Sequence, residues 1–522
     1  MLHGDVLGER ARLTPEKTAL VVVPTGERLT YRELDRRAAA CAAVWRDRLG
    51  LAKGDRVGIL AHNRIEFLDS FFAAGKSGAI LVPLGTRLTA HELAYMVRDS
   101  GMRALVYDGE FAAVIGELRG LVELEHWIAL DAPAHPSDLR YADLLSRAPN
   151  PEPRTPVSPE DTYCILYTSG TTGRPKGVML PHRMIAWNAY NTVMSWQLRD
   201  DDVSPVFTPL YHAGGLSIFL LPLVAIGGTV VLHRGFDAAE VWATIARERC
   251  TVVLGVPTIF KLLMEDPAFG HADLSAVRWF ISGGAPLPVY LVDAYRARGV
   301  VLKQGYGLTE VGVNCFAMTV DDAARKQGSI GTPMMFTEAR LTDTGEREVA
   351  TGDVGELLLR GPHVCNGYWN NPAATAAALD AGGWFHTGDL ARRDVDGYFT
   401  IAGRGKDMFI SGGVNVYPAE IEGELLLHPG VKDAAVIGVA EPTWGEVGVA
   451  FVVARPERAA SADELRAFLA GRLAKFKIPR EFIFVDELPR TPYGKVVKAE
   501  LAARYAQMQG TGLRAPGSET TP

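Results

Sequence analysis

The stretch Tyr167 to Val178, "YTSGTTGRPKGV", decides how this chain is read. It sets four Ser or Thr, three Gly, one Arg and one Lys around a single Pro. Such a run makes neither a stable helix nor a stable strand. Its glycines permit positive φ and close backbone approach. Successive N–H groups in such turns form anion-binding nests, and Arg174 and Lys176 add positive charge. The apolar "CILY" before it reads as a strand, and "PHRMIAWNAY" after it as the start of a helix with Pro181 near its first turn. Strand, polar Gly loop and helix is a phosphate-binding order. A Walker A loop is excluded, because Pro175 and Lys176-Gly177 break its G-x-x-x-x-G-K-[ST] spacing. A polar surface loop would have the same composition, so the rest of the chain must decide.

Outward from the loop, strands and helices alternate. "DRVGIL", "AILVPL" and "RALVYD" read as buried strands, with "RIEFLDSFFAAGKSG" as a helix between the first two. The rhythm returns at "TVVLHR", "CTVVLGVP", "VRWFISGG" and "VVLKQGYG". This spacing implies βαβ units and a parallel sheet, with ligands at the strand ends. Thr30 with Glu33, and Ser461 with Glu464, form capping boxes that open helices. Residues 150–160, "NPEPRTPVSPE", read as a linker, and from Met508 the chain lacks bulky apolar residues and reads as a disordered tail.

The 522 residues carry 48% apolar side chains and a net charge of −7. That charge argues against nucleic acid as a partner. Five scattered cysteines without a CxxC exclude a disulfide framework or zinc site and fit a cytoplasmic location with a reducing cytosol. No signal-peptide core opens the sequence. The longest apolar run, Leu216 to Leu232, is broken by Pro222 and Gly227-Gly228, so a buried helix followed by a strand is expected, with no transmembrane segment.

Six segments in one order then resemble a known family: the loop itself, "GYGLTE" (305–310), "GWFHTGDL" (383–390), "GYFTIAGRGKDMFISGG" (397–413), "VYPAEIE" (416–422) and "PRTPYGKV" (489–496). Together they resemble the adenylate-forming superfamily of acyl-CoA synthetases, luciferases and peptide-synthetase adenylation domains, over residues 5 to 505. The resemblance implies an α/β fold. A large adenylation domain (1–403) with parallel sheets would be followed by a hinge (404–406), a small mobile α+β domain (407–507) and a tail (508–522). It implies ATP and coenzyme A as substrates, Mg²⁺ as cofactor, and two half-reactions. A carboxylate attacks the α-phosphorus and releases pyrophosphate; a thiol then displaces AMP.

The resemblance also assigns residues. Thr168, Ser169, Gly170, Thr171, Thr172 and Lys176 would grip pyrophosphate. Thr309 would contact phosphate and Glu310 would hold Mg²⁺. Tyr306 would stack on adenine, with Gly283, Gly284 and Ala285 lining the nucleotide and acyl sites. Asp389 would accept from the ribose hydroxyls, and Arg404 would help hold ribose or phosphate. Lys495 would bridge carboxylate and α-phosphate. Lys406 would be the hinge, and Gly412 and Gly413 would border the pantetheine tunnel. His212, in "PLYHAGGLS", would gate the acyl pocket.

Short-chain relatives place a Trp where this chain has Gly307, so open space is expected there. No Asp stands near Gly214 and Gly215 to hold an amino group, which argues against an amino-acid substrate. The chain resembles bacterial medium- and long-chain fatty-acid–CoA ligases most. Aryl-acid CoA ligases, of the benzoate or cinnamate kind, and acyl-AMP ligases that load a carrier protein stay open, as does a homodimer.

Overall fold

Every parallel strand anticipated above forms and pairs in parallel. The computed structural model describes residues 5–148, 155–168, 174–412, 414–456, 458, 460–491 and 495–510. Ser169 to Thr172 and Gly413, and residues 150–154 of the expected linker, lie outside them.

Three sheets with parallel pairing build most of the large domain. A seven-stranded sheet runs in the order 139–140, 126–129, 104–107, 56–60, 80–83, 162–168, 176–181. All its neighbours are parallel except the last pair. A second sheet joins 203–206, 229–232, 18–22 and 28–30. A three-stranded parallel sheet, 252–255, 279–282 and 302–304, ends at Gly283 and Gly305. These strands read as near-continuous apolar runs because helices cover both faces of the sheet. Both capping boxes are present with reciprocal bonds, each contributing about 1 kcal/mol. The run from Leu216 forms a π-helical turn, a helix Leu221–Ile226 ended by left-handed Gly227, and the strand Thr229–Leu232. Among the described residues no helix is long and apolar enough to cross a membrane.

Three features depart from the sequence reading. First, Lys176 opens a strand, Lys176–Pro181, antiparallel to Thr162–Thr168. The described residues on either side of the signature stretch's centre are therefore paired strands, and the helix His182–Ser195 starts only after the second of them. "KGVML" suits a strand because Gly177 leaves room for Ile165, Tyr167 and Trp369, each within 3.4 Å of where its Cβ would stand. Second, an antiparallel sheet of 338–342, 354–360, 385–393 and 399–404 was not anticipated. Third, the last helix, Lys498–Gly510, runs past the expected start of the tail at Met508. Leu501, Tyr505 and Met508, at helical spacing, pack on the small-domain core.

The chain leaves the antiparallel sheet through the 3₁₀ turn Gly405–Asp407 and enters the small domain at Phe409–Ser411. That domain is a five-stranded sheet with helices Pro418–Leu426, Ala462–Ala470 and Lys498–Gly510. All five cysteines are free thiols and buried.

Candidate active site

Thr168 and Lys176, on either side of the signature stretch's centre, pair directly across the two strands. Tyr95 donates to the Pro175 carbonyl at 3.1 Å, and Tyr167 to Asp99 Oδ2 at 2.6 Å, pinning both strands. Lys176 Nζ lies 5.0 Å from the centre of the Tyr368 ring.

Behind this strand pair, the parallel strands deliver loops. Gly283, Gly284 and Ala285 follow the strand Trp279–Ser282, and Gly284 has φ +81°. Gly305 N–H donates to the Ser282 carbonyl at 2.7 Å, joining that loop to Tyr306. The Tyr306 hydroxyl donates to Asp389 Oδ2 at 2.6 Å. Arg404 stands opposite Asp389 in the antiparallel register and places Nε 3.2 Å from Oδ1. Asp389 is buried. A carboxylate offers about four acceptor positions, so two partners leave it capacity for hydroxyl donors.

Thr309 and Glu310 sit on a 3₁₀ turn after this loop. Tyr368 donates to Glu310 Oε1 at 3.1 Å. Burial pushes the Glu310 carboxyl up; the Tyr368 bond and the charges of Lys495 and Arg404 oppose the rise. Among the described residues no three His, Cys, Asp or Glu side chains cluster as a metal cage. A single carboxylate suits a Mg²⁺ ion that takes its other ligands from a nucleotide's phosphates and water. Glu310 therefore fits the implied metal.

His212 Nδ1 accepts from the Gly214 N–H at 3.2 Å, which puts the proton of the neutral ring on Nε2. Burial, and then the Lys495 charge, pull its pKa down to about 4. On the small domain the Lys495 N–H donates to Thr491 Oγ1 at 3.2 Å and its carbonyl accepts from Thr491 N–H at 2.8 Å. Lys495 keeps solvent exposure. Partial desolvation of its ammonium by the atoms around it, and then the Arg404 charge, hold it below the usual lysine range, against the pull of Asp389 and Glu310; Lys406 adds to the lowering. His212, Glu310, Asp389, Arg404, Lys406 and Lys495 thus converge around one cation from both domains. Gly412 does not join them: it has φ +59° and lies under Trp444 of its own domain, 2.8 Å from where its Cβ would stand.

The space expected over Gly307 is filled. A Cβ there would meet the Val313 carbonyl oxygen at 2.0 Å. Val313 holds φ +60°, costing a β-branched residue about 1–3 kcal/mol. It folds back because its N–H donates to the Leu308 carbonyl at 2.9 Å. Beside it lies a cavity of about 10 Å³ lined by Leu180, Met184, Ile185, Ala213, Ser217 and Asn188, among others. Asn188 donates through Nδ2 to the Ser217 carbonyl at 2.7 Å. Its Oδ1 is buried and lacks a hydrogen-bond partner.

Sequence reasoning missed Tyr368, Asn188 and the fold of Val313. Only Tyr368 left a cue, the Gly-aromatic pair in "CNGYWNN". Asn188 reads in sequence as one polar residue on an amphipathic helix.

Two family profiles match this chain: "AMP-binding enzyme" over residues 7–369 and "AMP-binding enzyme C-terminal domain" over 420–495. A feruloyl-CoA synthase from Amycolatopsis sp is 42% identical, covering 95% of this chain and 97% of that protein. The long-chain-fatty-acid–CoA ligase FadD13 of Mycobacterium tuberculosis is 37% identical, covering 96% and 98%. ATP-bound MatB from Rhodopseudomonas palustris superposes with a TM-score of 0.88 at 34% identity, covering 97% of this chain and 99% of that one. The apo form of MatB superposes at 0.78.

Proposed function

This chain belongs to the AMP-binding enzyme family, in its acyl-CoA synthetase branch, as an ATP-dependent acid–CoA ligase; from that premise we propose how its residues divide the work and which acid they activate. The better superposition on ATP-bound than on apo MatB supports reading this arrangement as the adenylating one. A carboxylate is a poor electrophile until one oxygen becomes a good leaving group, and making acyl-AMP brings anionic oxygens together. Lys495 supplies a compact positive charge between the acid and the α-phosphate. Lys176, with Thr168 and the loop from Ser169 to Thr172, takes the departing pyrophosphate. Glu310 and Thr309 face the triphosphate. When bound, Mg²⁺ neutralises phosphate charge there. Tyr306, Asp389 and Arg404 form one bonded unit that orients adenine and ribose. The neutral His212 borders the acid without adding a second cation beside Lys495.

The thiol step needs Lys495 out of the way. The turn Gly405–Asp407 is the short connection between the sheets, and rotation about Lys406 would withdraw Lys495 and present the segment around Gly412 and Gly413 to coenzyme A. The domain limits 1–403 and 407–507 are part of this proposal.

The acid we assign is a compact aromatic carboxylate with a polar ring substituent, of the hydroxycinnamate kind. The observation that carries this is Asn188 Oδ1, buried and unpartnered in the wall of a largely apolar cavity whose volume of about 10 Å³ has room for a hydroxyl and not for a ring. An unsubstituted alkyl chain would leave it desolvated, whereas a ring hydroxyl would donate to it, a difference of about 1–3 kcal/mol. The 42% identity to a feruloyl-CoA synthase supports the same class. The second reading, a medium- or long-chain fatty acid, is favoured by Leu180, Met184 and Ile185 in that wall and by the likeness to FadD13. Carboxylate-dependent ATP–pyrophosphate exchange decides between them. 4-Hydroxycinnamate should exceed cinnamate in kcat/KM by about tenfold, and Asn188→Leu should erase that preference. Octanoate or palmitate ranking above every aryl acid would overturn the assignment.

A further inference from the structure

The segment Pro362–Asn370 runs as a strap from the Glu310 turn to the strand that leaves the signature loop. Its bonds alternate between the two. Cys365 N–H donates to the Glu310 carbonyl at 2.8 Å. Asn366 N–H donates to the Met179 carbonyl at 3.1 Å, Met179 N–H to the Gly367 carbonyl at 2.9 Å, and Trp369 N–H to the Gly177 carbonyl at 2.7 Å. Val178 and Tyr368 face each other across this short antiparallel bridge. The strap's far end is fixed as well. Trp369 Nε1 and Asn370 Nδ2 donate to the Asp99 carbonyl at 3.0 and 2.9 Å. Its near end is held by Arg183, which donates to the Pro362 and Val364 carbonyls and to Asn366 Oδ1.

Tyr368 sits at the centre of this strap. Its ring carries Lys176 Nζ at 5.0 Å from the centroid, and its hydroxyl donates to Glu310 Oε1 at 3.1 Å. The side chain is largely buried, so neither contact is averaged away by water. One residue thus touches both the cation that leads out of the phosphate loop and the carboxylate that fits a metal. A ring face attracts a cation within about 6 Å, and a donated hydrogen bond fixes which carboxylate oxygen stays free. Gly367 fixes the ring's approach: it has φ +91°, and a Cβ there would meet the Thr375 side chain at 2.2 Å.

We propose that Tyr368 is a positioning residue that locks Lys176 and Glu310 at one spacing, so that a Mg²⁺·triphosphate meets its metal ligand and its phosphate cation together. The hydroxyl leaves Glu310 Oε2 for the metal, and the ring keeps Lys176 off Glu310, where an ion pair would compete with the nucleotide. This rests on the reading of Glu310 as the Mg²⁺ ligand and Lys176 as a phosphate contact.

Calorimetric binding of ATP across a Mg²⁺ titration tests it without turnover. Tyr368→Phe keeps the ring and removes the hydroxyl. It should bind ATP in EDTA like the parent, shift the Mg²⁺ midpoint upward by about tenfold, and keep its thermal midpoint. Glu310→Gln should shift the same midpoint, and the double variant should be no worse than Glu310→Gln alone. If Tyr368→Phe does not fold, Tyr368→Gln, which keeps a donor, must bind Mg²⁺·ATP more tightly than Tyr368→Leu. A parental Mg²⁺ midpoint in Tyr368→Phe, with Glu310→Gln shifted, overturns the role of Tyr368 and leaves the Glu310 reading standing. A parental midpoint in Glu310→Gln overturns that reading, and the role of Tyr368 with it.

Discussion

Glu310 and Lys495 lie within electrostatic reach of each other, but they are held in different ways. Glu310 stands on a wall that is complete without the small domain. Tyr368 fixes its carboxylate, Tyr306 fixes Asp389, and Arg404 faces Asp389 across a strand pair. Lys495 comes from the other domain, its backbone bonded to the Thr491 hydroxyl and N–H, and it keeps solvent exposure. One half of the site is preorganised and the other is delivered. Preorganised dipoles and charges cost nothing to reorient during reaction; a delivered charge can be removed between two steps that need different surroundings.

The largest test of this contrast is to delete the delivered charge. Lys495→Ala should cut acid-dependent pyrophosphate exchange by about 10²–10³-fold. Transfer from synthetic acyl-AMP to coenzyme A should continue, measured as thioester by liquid chromatography. Equal loss of both steps would mean Lys495 belongs to the fixed wall after all. Next comes the delivery itself. Lys406→Pro restricts the turn between the sheets, so exchange should survive while thioester formation falls by about 100-fold. The outcome that counts against a hinge at Lys406 is parallel loss of exchange and ligation.

A smaller effect is expected within the wall. Tyr306→Phe strips one donor from the buried Asp389, and ATP affinity should weaken by about tenfold, read by calorimetry. Unchanged affinity would show that Arg404 alone suffices. The last test concerns stability rather than catalysis, at His212. Its folded pKa of about 4 lies below its ordinary 6.5, so below pH 6.5 the unfolded chain takes up the proton first. Stability should therefore slide as pH falls from 6.5 toward 4 and then level off, with no slope from this group above pH 7. His212→Asn should flatten that slide in thermal melts run across the range.

Legibility in the sequence followed distance along the chain. The capping boxes at Thr30 and Ser461 and the parallel strands are local patterns, and they formed as read. The converging residues were found because their motifs resemble a family, not because any spacing placed them together. Asp389 opposite Arg404 depends on the register of a hairpin closing over Arg393 and Phe399, which alternation in such short strands does not specify. The strand after the signature loop was missed because "KGVML" needs Trp369, far along the chain, to cover Gly177. Gly307 misled for a related reason. Absence of a side chain looks like space in a sequence, yet here the Val313 backbone takes the space.

The buried cysteines carry a consequence for chemical safety. An acyl adenylate is a mixed anhydride, an indiscriminate acylating reagent for any thiolate it meets. Cys315 follows the Glu310 turn and Cys365 bonds to that turn through its N–H, so both live beside the compound this enzyme would make. Burial pushes the Cys365 thiol up to about 12 and the Cys315 thiol higher still, and Cys315 Sγ lies 3.2 Å from the Val311 carbonyl, to which it donates. Neither offers a nucleophile. The reagent is kept beside its maker without modifying it, and the thiol it meets is the one that arrives from solution.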